Sequence, residues 1–185
     1  MAERVCPVWI GYLLASPLRK LLNDPRKILG PYVKTGMTTL DVGSAMGFFS
    51  LPMAELAGPD GRVICVDLQE KMVKRLERRA SKAGLAERVR TRVCSQNSLG
   101  LDDLRGTVDF ALAFAMVHEV PDATTLFSEI HRALKPGGTV LVAEPKGHVT
   151  REEFEASVSA AVRSGFSIVE RPIIRLSRAV LLSGK

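Results

Sequence analysis

The chain has little of several features that would assign it to a specialised class of protein. Its 185 residues contain three cysteines, Cys6, Cys65 and Cys94, with no C-x-x-C spacing. An odd number without that spacing argues against a disulfide framework and against a cysteine zinc site. No apolar run reaches the roughly 20 residues that a membrane-spanning helix needs. An ordinary globular domain is left, and the cysteine usage fits a reducing cytoplasm best.

Positive charge exceeds negative charge by six, and much of the excess lies in one stretch of the chain. The basic residues of that stretch are Lys71, Lys74, Arg75, Arg78, Arg79, Lys82, Arg88, Arg90 and Arg92. They could form a surface for nucleic acid or another acidic partner. Aromatic side chains that would stack on bases do not interleave with these charges. We therefore favour a solvent-exposed helix face.

Short apolar runs alternate with helical patterns, which is typical of a parallel sheet covered by helices on both faces. The predicted strands are 38–42, 62–66, 89–94, 108–114, 139–144, 166–170 and 179–183. The predicted helices are 47–57, 70–83 and 123–134, followed by one that Thr150 and Glu153 begin as a capping box and that ends near residue 164. No helix separates the last two strands, so we expect a hairpin with an antiparallel final strand.

Glycines and an acidic residue follow the first two predicted strands. The first strand runs into the loop 41–47, Asp-Val-Gly-Ser-Ala-Met-Gly, whose glycines would let the backbone approach a ligand and turn into a helix. Asp67 follows the second strand, where its carboxylate could accept hydrogen bonds from both ribose hydroxyls of a nucleoside. A capping aspartate at a strand end would give the same pattern. Ligands of such sheets lie at the carboxyl ends of the strands, which makes this edge the candidate site.

Polar and aromatic residues follow the remaining strands at the same edge. The turn 95–98, Ser-Gln-Asn-Ser, could reach an adenine amino group, or it could simply be a turn. Phe114 ends the fourth strand, where its ring could pack beside the ligand. Glu144 and His148 flank the end of the fifth strand and could line a substrate pocket or order the loop.

Taken together, these motifs resemble those of the class I S-adenosylmethionine-dependent methyltransferases of the small type 11 group. The resemblance extends from residue 35 to the C-terminus. It rests on the Asp-x-Gly-x-x-x-Gly loop, Val66-Asp67, the run 109–120, the Leu-Lys-Pro-Gly-Gly sequence at 134–138 and the closing strand pair from Gly165. It implies an α/β, three-layer Rossmann-like fold with a seven-stranded sheet in the order 3-2-1-4-5-7-6 and strand 7 antiparallel.

The resemblance also implies S-adenosylmethionine as cofactor and a set of residues around it. We expect no metal site. Asp41, Gly43, Ser44, Ala45 and Gly47 would line its methionine and ribose portion. Asp67 would bind the ribose diol, Leu68 would flank the adenine, and Gln96 or Asn97 would reach its amino group. Ala45 departs from the family pattern, which usually has a glycine at this middle position.

A general base is optional in this chemistry, because the sulfonium of the cofactor already makes its methyl group electrophilic. If a base exists, His118 and Glu119 are the candidates, since they lie just beyond the fourth strand and a histidine accepts protons near neutral pH. A structural histidine in the loop before Pro121 is the alternative.

Residues 1–34 precede the common fold and form the first of two predicted units, with the methyltransferase domain over 35–185. This segment could be a helical lid over the cofactor site, or a helix packed on the outer face of the sheet. The apolar stretch 5–14 within it lacks a clean cleavage site, so we interpret it as part of a helix and not as a secretion signal. If the segment is a lid, deleting residues 1–25 should impair methyl transfer or cofactor retention.

The sequence thus predicts methyl transfer, with a small molecule as the first choice of acceptor. The loops between strands are short, so the acceptor pocket would need them, the N-terminal segment or a second subunit. Nucleic acid is the second choice, although residues 113–116 lack the Asn/Asp-Pro-Pro-aromatic motif of amino-group DNA methylases. A non-catalytic S-adenosylmethionine-binding partner subunit is a third. The competing enzyme class, an NAD oxidoreductase, would prefer a G-x-G-x-x-G loop, whereas this chain has G-x-x-x-G at 43–47.

Overall fold

A computed structural model describes residues 23–184, and its seven strands form a single sheet. The strands are β1 (Thr38–Val42), β2 (Arg62–Asp67), β3 (Val89–Val93), β4 (Val108–Phe114), β5 (Leu134–Pro145), β6 (Phe166–Glu170) and β7 (Ser177–Gly184). Their order is β3-β2-β1-β4-β5-β7-β6. The first five strands pair in parallel, and β7 runs antiparallel to both β5 and β6. The predicted fold class, strand order and antiparallel final strand are confirmed.

Helices cover both faces of this sheet and complete the three layers. They are α1 (Pro25–Leu29), α2 (Ser50–Ala57), α3 (Glu70–Lys82), α4 (Ala123–Ala133) and α5 (Arg151–Arg163), with short 3-10 turns at Asp102–Leu104 and Val117–Glu119. One apolar cluster joins α1, α2 and α3 to the sheet, and a second joins α4 and α5 to the opposite face. Within residues 23–184, no helix is both long and apolar enough to cross a membrane.

Two element boundaries differ from the sequence prediction by three residues or more, for reasons of backbone geometry. Helix α2 begins at Ser50, because Ala45 and Gly47 have positive φ angles of 46° and 80° that a right-handed helix does not allow. Strand β5 begins at Leu134, five residues earlier than predicted. The expected Lys-Pro-Gly-Gly turn lies inside it as an irregularity, where the register with β4 shifts and Gly137 takes a φ of 75°.

Residues 23–34 pack against the same face of the sheet as α2. Leu29 and Val33 are buried in the apolar cluster of that face, and the ring of Tyr32 stacks on Phe110 with centroids 5.8 Å apart. The hydroxyl of Tyr32 donates to Glu170 at 2.8 Å. This part of the N-terminal segment therefore belongs to the core of the domain. Residues 1–22 lie outside the described residues, so the predicted lid stays a prediction.

The basic residues of α3 lie mainly on its solvent-exposed face, because Met72, Val73, Leu76 and Ala80 form the buried face. Some side chains of the basic stretch form hydrogen bonds or ion pairs within the protein. The Arg79 guanidinium donates to the carbonyl of Met46, and Arg92 forms a two-pronged ion pair with Asp103 at 2.6 Å.

Candidate functional site

Backbone amides of the loop after β1 donate hydrogen bonds to the end of β2. The N–H groups of Gly43 and Ser44 donate to the carbonyl of Val66 at 2.9 and 3.1 Å. The next amide, that of Ala45, donates to the Asp67 carboxylate at 2.8 Å. The sequence predicted the loop and Asp67 as separate parts of one site. In the structure they are directly hydrogen-bonded to each other.

The two glycines of the loop make room for the protein's own side chains. A Cβ atom on Gly43, which has a φ of 72°, would lie 2.9 Å from the Cβ of Met116. A Cβ atom on Gly47 would overlap the Leu76 side chain. The sequence predicts a close approach of these glycines to a ligand, whereas the close approach in the structure is to Met116 and Leu76.

Alanines adopt left-handed backbone conformations at two neighbouring strand ends. Ala45 follows β1 with a φ of 46°, and Ala115 follows β4 with a φ of 56°. The amide of Ala115 donates to the Ala143 carbonyl at 2.7 Å, which holds this conformation in place. Such backbone costs on the order of 1–3 kcal/mol per residue and clusters at binding sites. The strain therefore makes the β1–β4 edge a candidate functional site.

Two buried carboxyl groups lie at this edge. The Ser50 hydroxyl donates to Asp41 at 2.5 Å, and the backbone amide of Gln69 donates to Asp67 at 2.8 Å. Burial raises the pKa of Asp41 to about 7; the hydrogen bond from Ser50 opposes the rise and the charge of Asp67 adds to it. Burial also raises the pKa of Asp67. Asp41 therefore changes its charge near neutral pH.

Ser44 carries a buried polar atom that lacks a partner. Its side-chain oxygen has no hydrogen bond within residues 23–184, although the residue is only 4 % exposed. Leaving a buried hydroxyl unpaired costs about 1–3 kcal/mol. This hydroxyl in the strained loop is therefore a group that a bound ligand could satisfy.

The predicted adenine-side residues lie at the adjacent strand ends. Leu68 is half-buried directly after Asp67, and the amide of Cys94 donates to the Asp67 carbonyl at 3.0 Å. Gln96 and Asn97 occupy the exposed tip of a tight turn. The Ser95 amide closes this turn on the Ser98 carbonyl at 3.0 Å, and the Ser98 amide donates to the Ser95 hydroxyl at 3.1 Å.

Phe114 ends β4 as predicted, and its ring faces an aromatic cluster at the start of α2. Its centroid lies 4.5 Å from that of Phe49, whose ring in turn meets Phe48 edge-on at 5.1 Å. The ring is 9 % exposed, so most of its surface packs within the protein.

A carboxylate–histidine pair links β5 to the 3-10 turn after β4. Glu144 is 1 % exposed; its Oε1 accepts the Val117 amide at 2.7 Å, and its Oε2 lies 2.6 Å from Nδ1 of His118. Nε2 of His118 lies 3.9 Å from Oε1 of Glu119. The sequence prediction named all three residues but not this pairing. The available signal was a glutamate at the end of an otherwise apolar strand.

His148, the other residue named beside Glu144, does not join this network. It is exposed, and its backbone amide closes a turn on the Pro145 carbonyl at 3.1 Å. Residues 23–184 also contain no cluster of three or more His, Cys, Asp or Glu side chains suited to a metal ion.

The fold and the site together define the class. A sheet of this order with an antiparallel seventh strand, a glycine loop after β1 and an acid at the end of β2 are the features of a class I methyltransferase. A model of the methyltransferase domain matches residues 33–171, well over half of the chain. The chain therefore belongs to the methyltransferase domain family.

Curated relatives share part of the sequence. The chain is 32% identical to the arsenite methyltransferase of Halobacterium salinarum over 109 residues, which are 59% of this chain and 27% of that protein. It is 30% identical to the demethylmenaquinone methyltransferase of Lactococcus lactis over 126 residues, 65% of this chain and 48% of that protein. The matches thus span about a quarter to a half of the length of these relatives.

Solved structures share the fold more completely. An S-adenosylmethionine-dependent methyltransferase from Aquifex aeolicus superposes with a TM-score of 0.86 at 25% identity, covering 97% of this chain and 99% of that one. A protein from Methanococcus maripaludis superposes with a TM-score of 0.78 at 16% identity, covering 100% of this chain and 97% of that one. This second likeness concerns the fold alone.

Proposed function

We propose that the protein transfers a methyl group from S-adenosylmethionine to a small-molecule acceptor. The family assignment gives S-adenosylmethionine as the cofactor. The observation that carries the proposal is the buried hydroxyl of Ser44, which has no hydrogen bond within residues 23–184. It lies in a strained loop that is hydrogen-bonded to Asp67. Polar groups of this kind fit the nucleoside and amino-acid portions of the cofactor.

The resemblance to the family assigns the residues of the cofactor site, and the positions of these residues at the strand ends support that assignment. Asp41, Gly43, Ser44, Ala45 and Gly47 line its methionine and ribose portion, Asp67 binds the ribose diol, Leu68 and Phe114 flank it, and Gln96 or Asn97 reaches the adenine amino group. Each Asp67 oxygen already accepts one backbone amide. A carboxylate oxygen can accept a second hydrogen bond, so the ribose hydroxyls would share Asp67 with the loop.

The bound cofactor supplies a methyl group activated on a sulfonium, and the protein's task is to position the acceptor and exclude water. His118 is the residue placed to accept a proton from the acceptor. If its Nδ1–H donates to Glu144, the lone pair of Nε2 is the proton acceptor. Glu144 thereby orients the ring and balances the positive charge that the ring gains. Glu119 lies beside Nε2 and would assist this transfer.

A small molecule is the acceptor class that the relatives favour. Two of them are an arsenite methyltransferase and a demethylmenaquinone methyltransferase. Because the chain covers only part of their length, the acceptor of this protein is proposed as a class and not as one of those compounds.

Calorimetry with S-adenosylmethionine and its demethylated product tests the cofactor assignment. Asp67→Asn should weaken binding about tenfold or more, since a hydrogen bond to a charged group contributes roughly 1.5–3 kcal/mol. The matched control is Asp60→Asn, in an exposed turn far from the loop, which should bind both compounds as the parent does. If the parent binds neither compound, the proposed function is wrong.

His118→Ala tests the mechanism separately from the cofactor. A labelled-methyl screen over metabolite pools and RNA first identifies the acceptor. With that acceptor, His118→Ala should lower turnover and leave S-adenosylmethionine affinity unchanged. Unchanged turnover would remove His118 from the mechanism. Binding without transfer to any acceptor would indicate a non-catalytic subunit, and transfer to RNA would overturn the small-molecule proposal.

A further inference from the structure

A cleft outside the cofactor loop opens at the same sheet edge as Glu144. It encloses about 290 Å³ between the end of β5, the first turns of α5 and the connection from β6 to β7. Buried residues line its apolar part, among them Phe154, Ile174 and Ala179. A space of this size suits a small molecule or one end of a larger one.

The polar lining of this cleft is strongly cationic. Lys146, Arg151, Arg171 and Arg178 line it, whereas Glu155 is its single carboxylate. Glu155 is already neutralised by Arg171, whose two terminal nitrogens donate to its two oxygens at 2.9 and 2.8 Å. Three positive charges therefore face the cleft without a lining carboxylate to balance them.

The placement of two of these cations is not explained by folding. Arg151 is the first residue of α5, where the helix dipole disfavours a positive charge. Lys146 lies just beyond β5, exposed. Neither residue forms an ion pair within residues 23–184. An anionic ligand would offset the electrostatic cost at Arg151 and would give Lys146 a partner of opposite charge.

Contacts within the protein fix the connection from β6 to β7, which forms the side of the cleft opposite α5. The Glu155–Arg171 pair ties α5 to the connection that follows β6. The amide of Lys146 donates to the carbonyl of Leu176 at 2.9 Å, which joins the end of β5 to the same connection. Ile173 projects from this connection fully exposed and lines the cleft. An exposed apolar side chain beside fixed cations fits a ligand with an apolar portion next to its charge.

Arg178 connects the cleft to the proposed reaction site. Its guanidinium is fixed by donation to the Val149 carbonyl at 2.8 Å, and its backbone pairs with Glu144 across β5 and β7. Glu144 in turn holds His118 at 2.6 Å. Directly paired residues of neighbouring strands project to the same face of a sheet, so Arg178 lies on the same face as the Glu144–His118 pair.

We propose that this cleft binds the methyl acceptor, and that the acceptor is a small molecule with a carboxylate or phosphate group beside an apolar portion. The oxyanion lies against Lys146, Arg151 and Arg178, and the apolar portion lies on Ile173 and Phe154. This inference rests on the proposed function, because it assigns a substrate class to the same site.

Binding of three eight-carbon probes to the full chain tests the inference. Octanoate and octyl phosphate carry the two candidate oxyanions on one apolar tail, and octylamine carries the opposite charge on the same tail. We expect one or both anions to bind by calorimetry and octylamine not to bind. The stronger of the two anions identifies the oxyanion, and higher ionic strength should weaken its binding.

A charge-matched pair of double variants locates the binding. Lys146→Gln with Arg151→Gln should weaken anion binding by about fivefold or more, as expected for the loss of two charge-assisted contacts. Lys82→Gln with Arg90→Gln removes the same charge from exposed positions near the opposite edge of the sheet and should leave binding unchanged. Equal binding of octylamine, no loss in the first double variant, or an equal loss in the second would overturn the inference.

S-Adenosylmethionine affinity, measured on the same samples, separates this inference from the proposed function. Both double variants should bind the cofactor as the parent does. Cofactor binding without anion binding refutes the cleft assignment alone. Anion binding in the cleft without cofactor binding refutes the proposed function, and with it the assignment of the bound anion as an acceptor.

Discussion

Ala45 has the side chain least expected for its backbone. Its φ of 46° lies in the left-handed region, which an L-residue with a Cβ atom occupies at a cost of roughly 1–2 kcal/mol. The resemblance to the family marked this position because a glycine usually stands there, and the structure adds the reason. The strain stays in the loop because its amide is bonded to Asp67 and its neighbours are bonded to Val66.

Ala45→Gly should therefore keep the free energy of unfolding unchanged or raise it by up to about 1 kcal/mol, since relief of strain exceeds or balances the added entropy of the unfolded chain. Ala156→Gly is the matched control, because Ala156 is exposed within α5, where the same change should cost about 1 kcal/mol. Urea unfolding measures both. A loss of stability in Ala45→Gly as large as in the control would contradict the strain argument.

Asp41 predicts a dependence of stability on pH. Its pKa is about 7 in the folded protein and about 4 when the chain is unfolded, so between these values only the unfolded state loses the proton. This difference lowers stability progressively from about pH 4 to pH 7, and its full cost persists above pH 7. Asn cannot ionise and lacks this cost. The stability of Asp41→Asn relative to the parent should therefore rise across that window and then level off.

Urea unfolding at intervals from pH 4.5 to 8 gives this difference directly. Only its trend with pH matters, because a constant offset would come from altered hydrogen bonding to Ser50. Asp60→Asn, in an exposed turn, should show no trend beyond experimental error. A difference between Asp41→Asn and the parent that stays flat over this range would show that Asp41 is ionised throughout.

Individual site residues were predictable where a local sequence pattern indicates them. Asp41, Gly43 and Asp67 lie at or just after the ends of apolar runs, so the strand ends and their polar neighbours could be located from the sequence. Ser50 as the partner of Asp41 and Glu144 as the partner of His118 could not. The second pair is 26 residues apart in sequence and meets only because β4 and β5 are neighbours in the sheet.

Elements were predictable to the extent that burial governs them. β1 and β4 have the predicted bounds, because nearly all of their residues are buried. β6 also has the predicted bounds, although Phe166 is its only buried residue. The start of α2 and the long β5 differ, because positive φ angles and a register shift decide them. Those features depend on contacts such as Gly47 with Leu76, which only the folded chain contains.

A capping box begins α5 and should stabilise this helix. The Thr150 hydroxyl accepts the Glu153 amide at 3.2 Å, and the Glu153 carboxylate accepts the Thr150 amide at 2.8 Å, as predicted from the sequence. Thr150→Ala should lower the free energy of unfolding by about 1 kcal/mol. Ser159→Ala, in the middle of the same helix, should leave it within about 0.5 kcal/mol of the parent. Equal effects of the two changes on urea unfolding would show that the cap does not stabilise α5.

Part of the N-terminal segment, residues 23–34, contributes to the core of the domain. The family pattern begins with β1, so the sequence predicted a methyltransferase domain from residue 35. Leu29 and Val33 nevertheless fill the apolar cluster under α2, and the Asp24 carboxylate caps α1 by accepting the Arg26 amide at 3.0 Å. A cut after residue 25 would remove that cap and the first residue of α1. A cut after residue 22 leaves both intact and is the better test of the lid prediction.

Two truncations should therefore fail in different ways. Removing residues 1–34 takes two large apolar side chains out of the core and should cost at least about 4 kcal/mol, or roughly 8–16 °C in Tm. If the first 22 residues form the predicted lid, removing them alone should leave a cooperative unfolding transition while impairing methyl transfer or cofactor retention. Thermal unfolding and S-adenosylmethionine calorimetry on the same samples distinguish loss of the core from loss of a lid. Parent-like transfer and affinity after removal of residues 1–22 would rule out a lid, and parent-like stability after removal of residues 1–34 would show that Leu29 and Val33 do not stabilise the domain.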